Sequence, residues 1–186
     1  RIHFQFGKTA LTAGADVCFV DGSYGSNVSS TGYFSMNSSN TNVGGWSSSQ
    51  MRSLLGTSLS SYSGKFIGAL PSDLRAVLKS VTKYTDNTGN SSTSAANVTA
   101  TTDYLFLLAE YEVFGSISYA NSNESAKQAQ YAYYSAGNSK VKYKHNATTT
   151  AASWWLRSPH SRYSTFFVSV YTNGSVYYYI AYFSYG

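Results

Sequence analysis

The sequence predicts an α+β domain, with helices in the first two thirds of the chain and a strand-rich end. Two observations lead there. Apolar residues recur at helical spacing in GGWSSSQMRSLL and ALPSDLRAVLKSV, whereas the stretch from Ser153 onward is β-branched, aromatic and broken by a single tight-turn signal, TNG. A third is the lack of any internal repeat, so the 186 residues read as one domain, 1–186, large enough to bury its own core.

The first third, to about Gly45, reads as short strands separated by turns. HFQF alternates, VCFV is a compact apolar run, and DGSYGSN and NSSNTN are turn-formers. At GGWSSSQMRSLL the serines offer an N-cap, and Met51, Leu54 and Leu55 form an apolar stripe. ALPSDLRAVLKSV predicts a second helix, with Pro71 at an early position, Asp73 in the first turn and Lys79 near the end. Leu70, Leu74, Val77, Leu78 and Val81 are its expected core face.

Thr85 to Thr102 is poor in core-forming residues and rich in turn-formers, which predicts a long surface loop. The first half of DYLFLLAEYEVFG is continuous enough for a buried strand. ESAKQAQYAYYSAGNS reads as a helix stopped by Gly137. SKVKYKH and the chain from Ser153 on read as strands, with Thr172 to Gly174 as a hairpin turn.

Composition narrows the function. Charged residues are only 11% of the chain, well below the usual quarter, and Ser, Thr, Asn, Gly and Tyr carry the solvation instead. That palette suits extracellular binding and adhesive surfaces. The formal charge is +5, but the basic residues are scattered apart from Lys140, Lys142 and Lys144, whose alternation suggests a solvated strand edge. With no nucleic-acid-binding motif, no nucleic-acid partner is expected. No apolar run has the length of a membrane span.

Catalytic and metal chemistry are not expected either. Cys18 stands alone between apolar neighbours and reads as a small buried thiol. His3, His145 and His160 lie in no catalytic signature, and no nucleophile elbow occurs. Asp16, Asp21 and Asp86 have turn contexts without the ligand count calcium needs. Glu110, Glu112 and Glu124 have no spacing that forces them together. The expectation is no enzyme, no cofactor and no metal.

The most specific string is WWLRSP, Trp154 to Pro159. Together with GGWSSSQMRS, LPSDLRAVLKSVTKYTDN, TDYLFLLAEYEVFG and YYSAGNSKVKYKHN, it resembles bacterial and phage proteins of C-type lectin fold, among them the variable proteins of diversity-generating retroelements. The resemblance implies a C-type-lectin-like scaffold carrying a variable ligand-binding region at 160–183. It implies variable positions at His160, Ser161, Arg162, Tyr163, Phe166, Ser169, Tyr171, Ser175, Tyr177, Tyr178, Tyr179, Ile180, Tyr182 and Phe183. Phe167, Val170, Val176, Ala181 and WWLRSP would be scaffold, the tryptophans packing the core and Arg157 pairing with a buried carboxylate or carbonyls. It also implies a phage tail or bacterial cell surface as the location.

In that family adenines of AAY codons are rewritten to NNY, which cannot encode Lys, Glu, Gln, Met or Trp. Residues 1–159 contain 20 of these five types, and residues 160–186 contain none. The calcium-binding tripeptides of animal C-type lectins are missing, so calcium-independent binding is implied. The formylglycine-generating oxidases share the general fold, but their chemistry needs paired cysteines, and this chain has one.

Ten of the 31 aromatic residues fall within the last 24 positions. Tyr offers a large contact area, few rotatable bonds and a polar tip, as in antibody paratopes. YYYIAYF lacks the period-two alternation of a half-buried strand, so some of its rings must face away from the core. The expected role is a receptor-recognition or adhesion module for a protein or glycan on a cell surface. The alternative is a self-associating structural domain that buries this face against another copy.

Overall fold

The computed structural model describes residues 2–5, 28–30, 33–144 and 147–185. It is a mixed α/β arrangement of short helices and four small antiparallel sheets, with a strand-rich C-terminus. The expected strand at VCFV, with Cys18, Asp16 and Asp21, lies outside the described residues, as does His145.

Among the described residues, a two-stranded ribbon, β1 (Val28–Ser30) and β2 (Tyr33–Phe34), comes first. Phe34 exchanges both backbone hydrogen bonds with Tyr185, at 2.9 and 3.0 Å, which ties this ribbon to the C-terminus. Helix α1 (Gln50–Leu55) forms as expected: Ser49 Oγ accepts from Arg52 N at 3.1 Å, and Met51, Leu54 and Leu55 are buried. Just upstream the chain turns at Gly45, with φ at +53°, where any Cβ would collide with the Asp86 carbonyl.

The helix expected over 69–81 forms only as α3 (Ser72–Val77), and a separate short helix, α2 (Phe66–Ala69), precedes it. Pro71 stands before α3, and Leu78 is already extended. The predicted stripe therefore cannot continue: Leu70 is buried, Leu74 and Leu78 are half-buried, and Val77 is 67% exposed. Val81 starts the next strand instead.

The expected 85–102 loop holds for residues 87–97, a largely exposed connection with a 3-10 turn at Ala95–Asn97, but its two ends are the strands of a hairpin. β3 (Val81–Asp86) and β4 (Val98–Asp103) pair in unbroken antiparallel register from Val81↔Asp103 to Asp86↔Val98. Their threonines and valines favour pleated backbone. Apart from Val98, the side chains the hairpin buries are polar, including Thr85, Asp86 and Asp103, so an apolar pattern does not reveal it.

Residues 104–108 are not a strand. Arg157 takes their carbonyls: its side chain donates to Leu107 O at 2.8 Å, and its backbone N donates to Leu108 O at 2.9 Å. Helix α4 (Glu110–Phe114) follows and ends at Gly115, φ +68°. The single helix expected next is interrupted. A 3-10 turn spans Ser122–Lys127, Gln128 is extended, and α5 covers only Ala132–Ser135 before Gly137 at φ +84°. The break is held from outside, since Gln128 Nε2 donates to Tyr84 O at 2.8 Å and Tyr131 N to Glu112 O at 2.9 Å.

β5 (Lys142–Lys144) pairs with β6 (Ala147–Ala152). The solvated-edge reading fails at Lys142, which is buried with its ammonium 5.7 Å from the Trp154 ring centre. Burial lowers its pKa to about 8.

The last sheet runs β7 (Trp154–Pro159), β8 (Phe166–Val170), β9 (Val176–Ile180) in that order. Its first two strands are packed on both faces. Trp155 and Phe167 join Met36, Trp46 and α1 in one core cluster, and Leu156, Val168 and Val170 join Val113 and Tyr134 in the other. The expected TNG turn is present: Tyr171 N donates to Ser175 O and Gly174 N to Tyr171 O, both at 2.8 Å, with Gly174 at φ +85°.

Candidate ligand-binding surface

The terminal sheet is anchored by a buried charged centre on β7. Arg157 is fully buried and donates five hydrogen bonds: Nε to Thr85 Oγ1 at 2.7 Å, Nη1 to Glu112 Oε2 at 2.5 Å and Leu107 O at 2.8 Å, Nη2 to Glu112 Oε1 at 3.1 Å and Tyr84 O at 3.2 Å. The expected pairing with a carboxylate and carbonyls is thus both at once. Glu112 also accepts from Lys83 Nζ at 2.7 Å and Ala109 N at 3.0 Å. Burial drives the Glu112 carboxyl upward, but Arg157 and Lys83 outweigh it and hold the pKa at about 2.

The neighbouring strand residue Ser158 brings in the other two glutamates. Its hydroxyl donates to Glu124 Oε2 at 2.7 Å and accepts from Glu110 N at 3.2 Å. Glu124 also takes Asp86 N at 2.9 Å, yet burial dominates and lifts its pKa to about 7. Burial likewise raises Glu110, against the hydrogen bonds its carboxylate receives from the Ser118, Ala120 and Tyr119 amides. Two carboxylates without suggestive spacing, Glu112 and Glu124, therefore meet on one strand, whereas Glu110 reaches it through its backbone amide and turns its carboxylate to the 118–120 amides. Beside them Tyr131 Oη accepts from Lys83 Nζ at 2.9 Å and bonds His3 Nδ1 at 2.7 Å, at the wall of a cleft of about 370 Å3. Among the described residues, no three His, Cys, Asp or Glu side chains are grouped to hold a metal ion. No helix among them is long and apolar enough to cross a membrane.

The hairpin β8–β9 extends this anchored strand outward, and β9 is its outer strand. Directly paired residues share a face, so Tyr177 and Tyr179 lie on the side of their partners Ser169 and Phe167, and Tyr178 on that of Val168. With the core filled by β7 and β8, the rings of β9 run past its rim. Tyr177 is 40% exposed, Tyr179 36% and Tyr182 51%. On this side Tyr171 stands 5.2 Å from Tyr177, and Tyr179 4.3 Å from Phe183, ring centre to ring centre. On the other side Tyr178 packs half-buried against His160 and Tyr119, each at 4.7 Å, and Phe166 at 5.1 Å, with Tyr163 exposed beyond them.

The expected variable positions therefore separate into three groups. Arg162, Tyr163, Tyr171, Ser175, Tyr177, Tyr179, Tyr182 and Phe183 are exposed, and Ser161, Phe166, Tyr178 and Ile180 are half-buried. His160 and Ser169 are buried. Ser169 is enclosed between its pairing partners Trp155 and Tyr177, so it presents no side chain outward. His160 accepts from Arg162 N at 3.0 Å, and burial, helped by the Arg162 charge, lowers its pKa to about 4. The expected scaffold positions Phe167, Val170 and Ala181 are fully buried, whereas Val176 is half-buried.

Two ring partners were not foreseen. Tyr119 is far from the tail in sequence, and no local pattern marks it. Tyr185 packs on Trp155 at 4.6 Å and lies beside Phe183 at 5.4 Å; only its place in the aromatic tail hints at this.

The backbone of β9 adds a second feature. The bonds Tyr171 N to Ser175 O and Ala181 N to Thr165 O fix the hydrogen-bonded positions of the hairpin. By alternation Tyr177 and Tyr179 turn their amides toward β8, and Tyr178 turns its N–H and C=O to the open edge.

Residues 25–186 match the family described as Domain of unknown function (DUF6273), and the chain belongs to that family. No curated protein and no solved structure matches it.

Proposed function

We propose that this protein is a ligand-binding module for receptor recognition or adhesion, displaying the tyrosine-rich rim of β9 on a C-type-lectin-like scaffold. In this reading it acts without calcium, cofactor or catalysis, on a phage tail or bacterial surface, and the exposed positions of 160–183 are diversified. The observation that carries it is the set of exposed rings on and beside β9, Tyr177 and Tyr179 on the strand and Tyr171, Tyr182 and Phe183 at its ends, next to strands that are packed. A monomeric protein rarely leaves so much contiguous aromatic surface uncovered without a partner for it. Such rings bind at low entropic cost because two torsions fix each of them.

The test is an array of bacterial-surface glycans and proteins, probed with the wild type and with a variant carrying Tyr177→Ala, Tyr179→Ala, Tyr182→Ala and Phe183→Ala. The variant keeps its fold and loses the array signal. A variant that unfolds, or one that binds as before, refutes the reading.

The open edge of Tyr178 favours one other reading, self-association through β9 pairing with a second copy. Sedimentation across a concentration series separates the two, because the binding-module reading requires the face to be free in the monomer.

A further inference from the structure

Asn42 is fully buried, and both ends of its amide are in use. Nδ2 donates to Tyr163 O at 2.8 Å and to Phe166 O at 2.7 Å, with His160 O further off at 3.4 Å. Oδ1 accepts from Asn90 N at 2.9 Å, and the Asn42 backbone N donates to Ser164 O at 2.7 Å. The site therefore needs two donors on one side and an acceptor on the other. A short amide side chain meets both demands, whereas an ionised Asp of the same length offers acceptors only. Behind Asn42 the chain is close: a Cβ at Gly89, φ +60°, would collide with the Asn42 carbonyl.

These bonds converge on the loop 161–165, between β7 and β8. The remaining ties come from elsewhere in the scaffold. Thr165 O accepts from Ala181 N, and Ser161 N donates to Tyr119 O, both at 2.8 Å. The Tyr119 segment is itself fixed, because the Glu110 carboxylate takes the Ser118, Tyr119 and Ala120 amides. None of these bonds requires a side chain from 161–165. Arg162 and Tyr163 are exposed, and Arg162 has no carboxylate partner among the described residues.

We propose that 161–165 is a second recognition loop, on the other side of β9 from Tyr177 and Tyr179. Asn42 is its positioning residue, holding the backbone in one shape while Arg162 and Tyr163 meet the ligand. The inference rests on the binding-module reading and adds to it a residue far from 160–183 in sequence. Loops held by a rigid scaffold are where recognition concentrates, and Tyr and Arg are the side chains that most often dominate it. A loop shaped before the ligand arrives loses no affinity to its own ordering. Because the hold is on the backbone, the side chains of Ser161, Arg162 and Tyr163 can be exchanged while the loop keeps its shape.

Hydrogen exchange read by mass spectrometry compares the wild type with Asn42→Asp, which keeps the acceptor for Asn90 but turns a carboxylate toward Tyr163 O and Phe166 O. Expected is exchange about ten-fold or more faster across 160–166, with the β8 amides from Phe167 to Val170 at the wild-type rate. Asn42→Ala, which loses the same donors without burying a charge, takes its place if Asn42→Asp does not fold. An unchanged 160–166 segment overturns the inference. So does equal loosening of β8, or unfolding of both variants, since Asn42 would then hold the fold and not the loop. Binding to the array of bacterial-surface glycans and proteins is the second readout, with Arg162→Ala/Tyr163→Ala and the folded Asn42 variant beside the wild type. The loop pair weakens binding about ten-fold or more, and the Asn42 variant about three-fold or more although Arg162 and Tyr163 are intact. Array components that are lost with the Tyr177, Tyr179, Tyr182 and Phe183 substitutions but held unchanged by these two variants overturn the loop and leave the binding-module reading intact. No array signal from the wild type refutes that reading, and this inference with it.

Discussion

Replacing Arg157 with Met keeps the length of the side chain and removes its charge and five donors. The loss leaves Glu112 with Lys83 and the Ala109 amide, and deprives Thr85, Leu107 O and Tyr84 O of a partner. Breaking one side of a buried ion pair costs about 3–5 kcal/mol, because the remaining charge stays desolvated. The orphaned Leu107 carbonyl adds to that in principle, whereas Tyr84 O keeps its bond from Gln128 Nε2, and relaxation and water entry make such terms non-additive. With domain stabilities of about 5–15 kcal/mol, the variant sits near the edge of folding. For a chain of this size each kcal/mol lowers Tm by about 2–4 °C, so a fall of roughly 6–20 °C follows. Urea and thermal unfolding, read by circular dichroism and Trp fluorescence, measure it. A double-mutant cycle with Glu112→Gln isolates the pairwise part. A loss below about 1 kcal/mol refutes the idea that this centre anchors the terminal sheet.

Other perturbations separate the interior from the rim. Glu124→Gln removes a group whose folded pKa is about 7 against 4.5 when unfolded. The wild type binds the proton more tightly when folded, so this contribution is present below 4.5 and lost as pH rises through 7. Wild-type stability relative to Glu124→Gln therefore falls by about 3 kcal/mol across that window, measured by urea titration at each pH. Glu112 behaves oppositely: its folded pKa of about 2 gives stability present above 4.5 and lost as pH falls toward 2, so the stability gap between wild type and Glu112→Gln closes on acidification. Gly45→Ala forces a positive φ and a collision with the Asp86 carbonyl, costing about 2 kcal/mol or more in chemical denaturation. Tyr177→Ala and Tyr179→Ala each change stability by about 1 kcal/mol or less, since only ring contacts at the rim are lost. A near-copy of the gene's final segment in the same genome should carry adenines where the codons of exposed 160–183 positions differ, and none at the Phe167 or Val170 codons.

The parts of the fold that sequence disclosed are those built on apolar periodicity or strict turn chemistry. Helix α1 with its Ser49 cap and the β8–β9 hairpin with its Gly174 turn belong here. The β3–β4 hairpin was hidden because, Val98 apart, its inward side chains are polar, Thr85, Asp86 and Asp103 among them, stabilised by hydrogen bonds that a one-dimensional pattern does not show. The helix expected over 124–139 misled for a related reason: its propensities favour helix, but long-range bonds from Gln128 and Tyr131 hold the chain open. The buried charged centre was half visible, in Arg157 alone. Its glutamates come from distant segments, and their meeting is a property of the tertiary structure. At the rim, the missing alternation of YYYIAYF pointed to exposed rings, and Tyr177, Tyr179, Tyr182 and Phe183 are exposed. What the pattern could not separate was Ser169 and His160, the two expected variable positions that are buried.

The most direct measurement is tyrosine nitration of the folded protein, mapped residue by residue by mass spectrometry. A free binding rim predicts rapid modification at Tyr177, Tyr179 and Tyr182, with Tyr134 protected in the core. Protection of the three rim tyrosines to the degree of Tyr134 would contradict the account, because the face would then be covered before any ligand arrives.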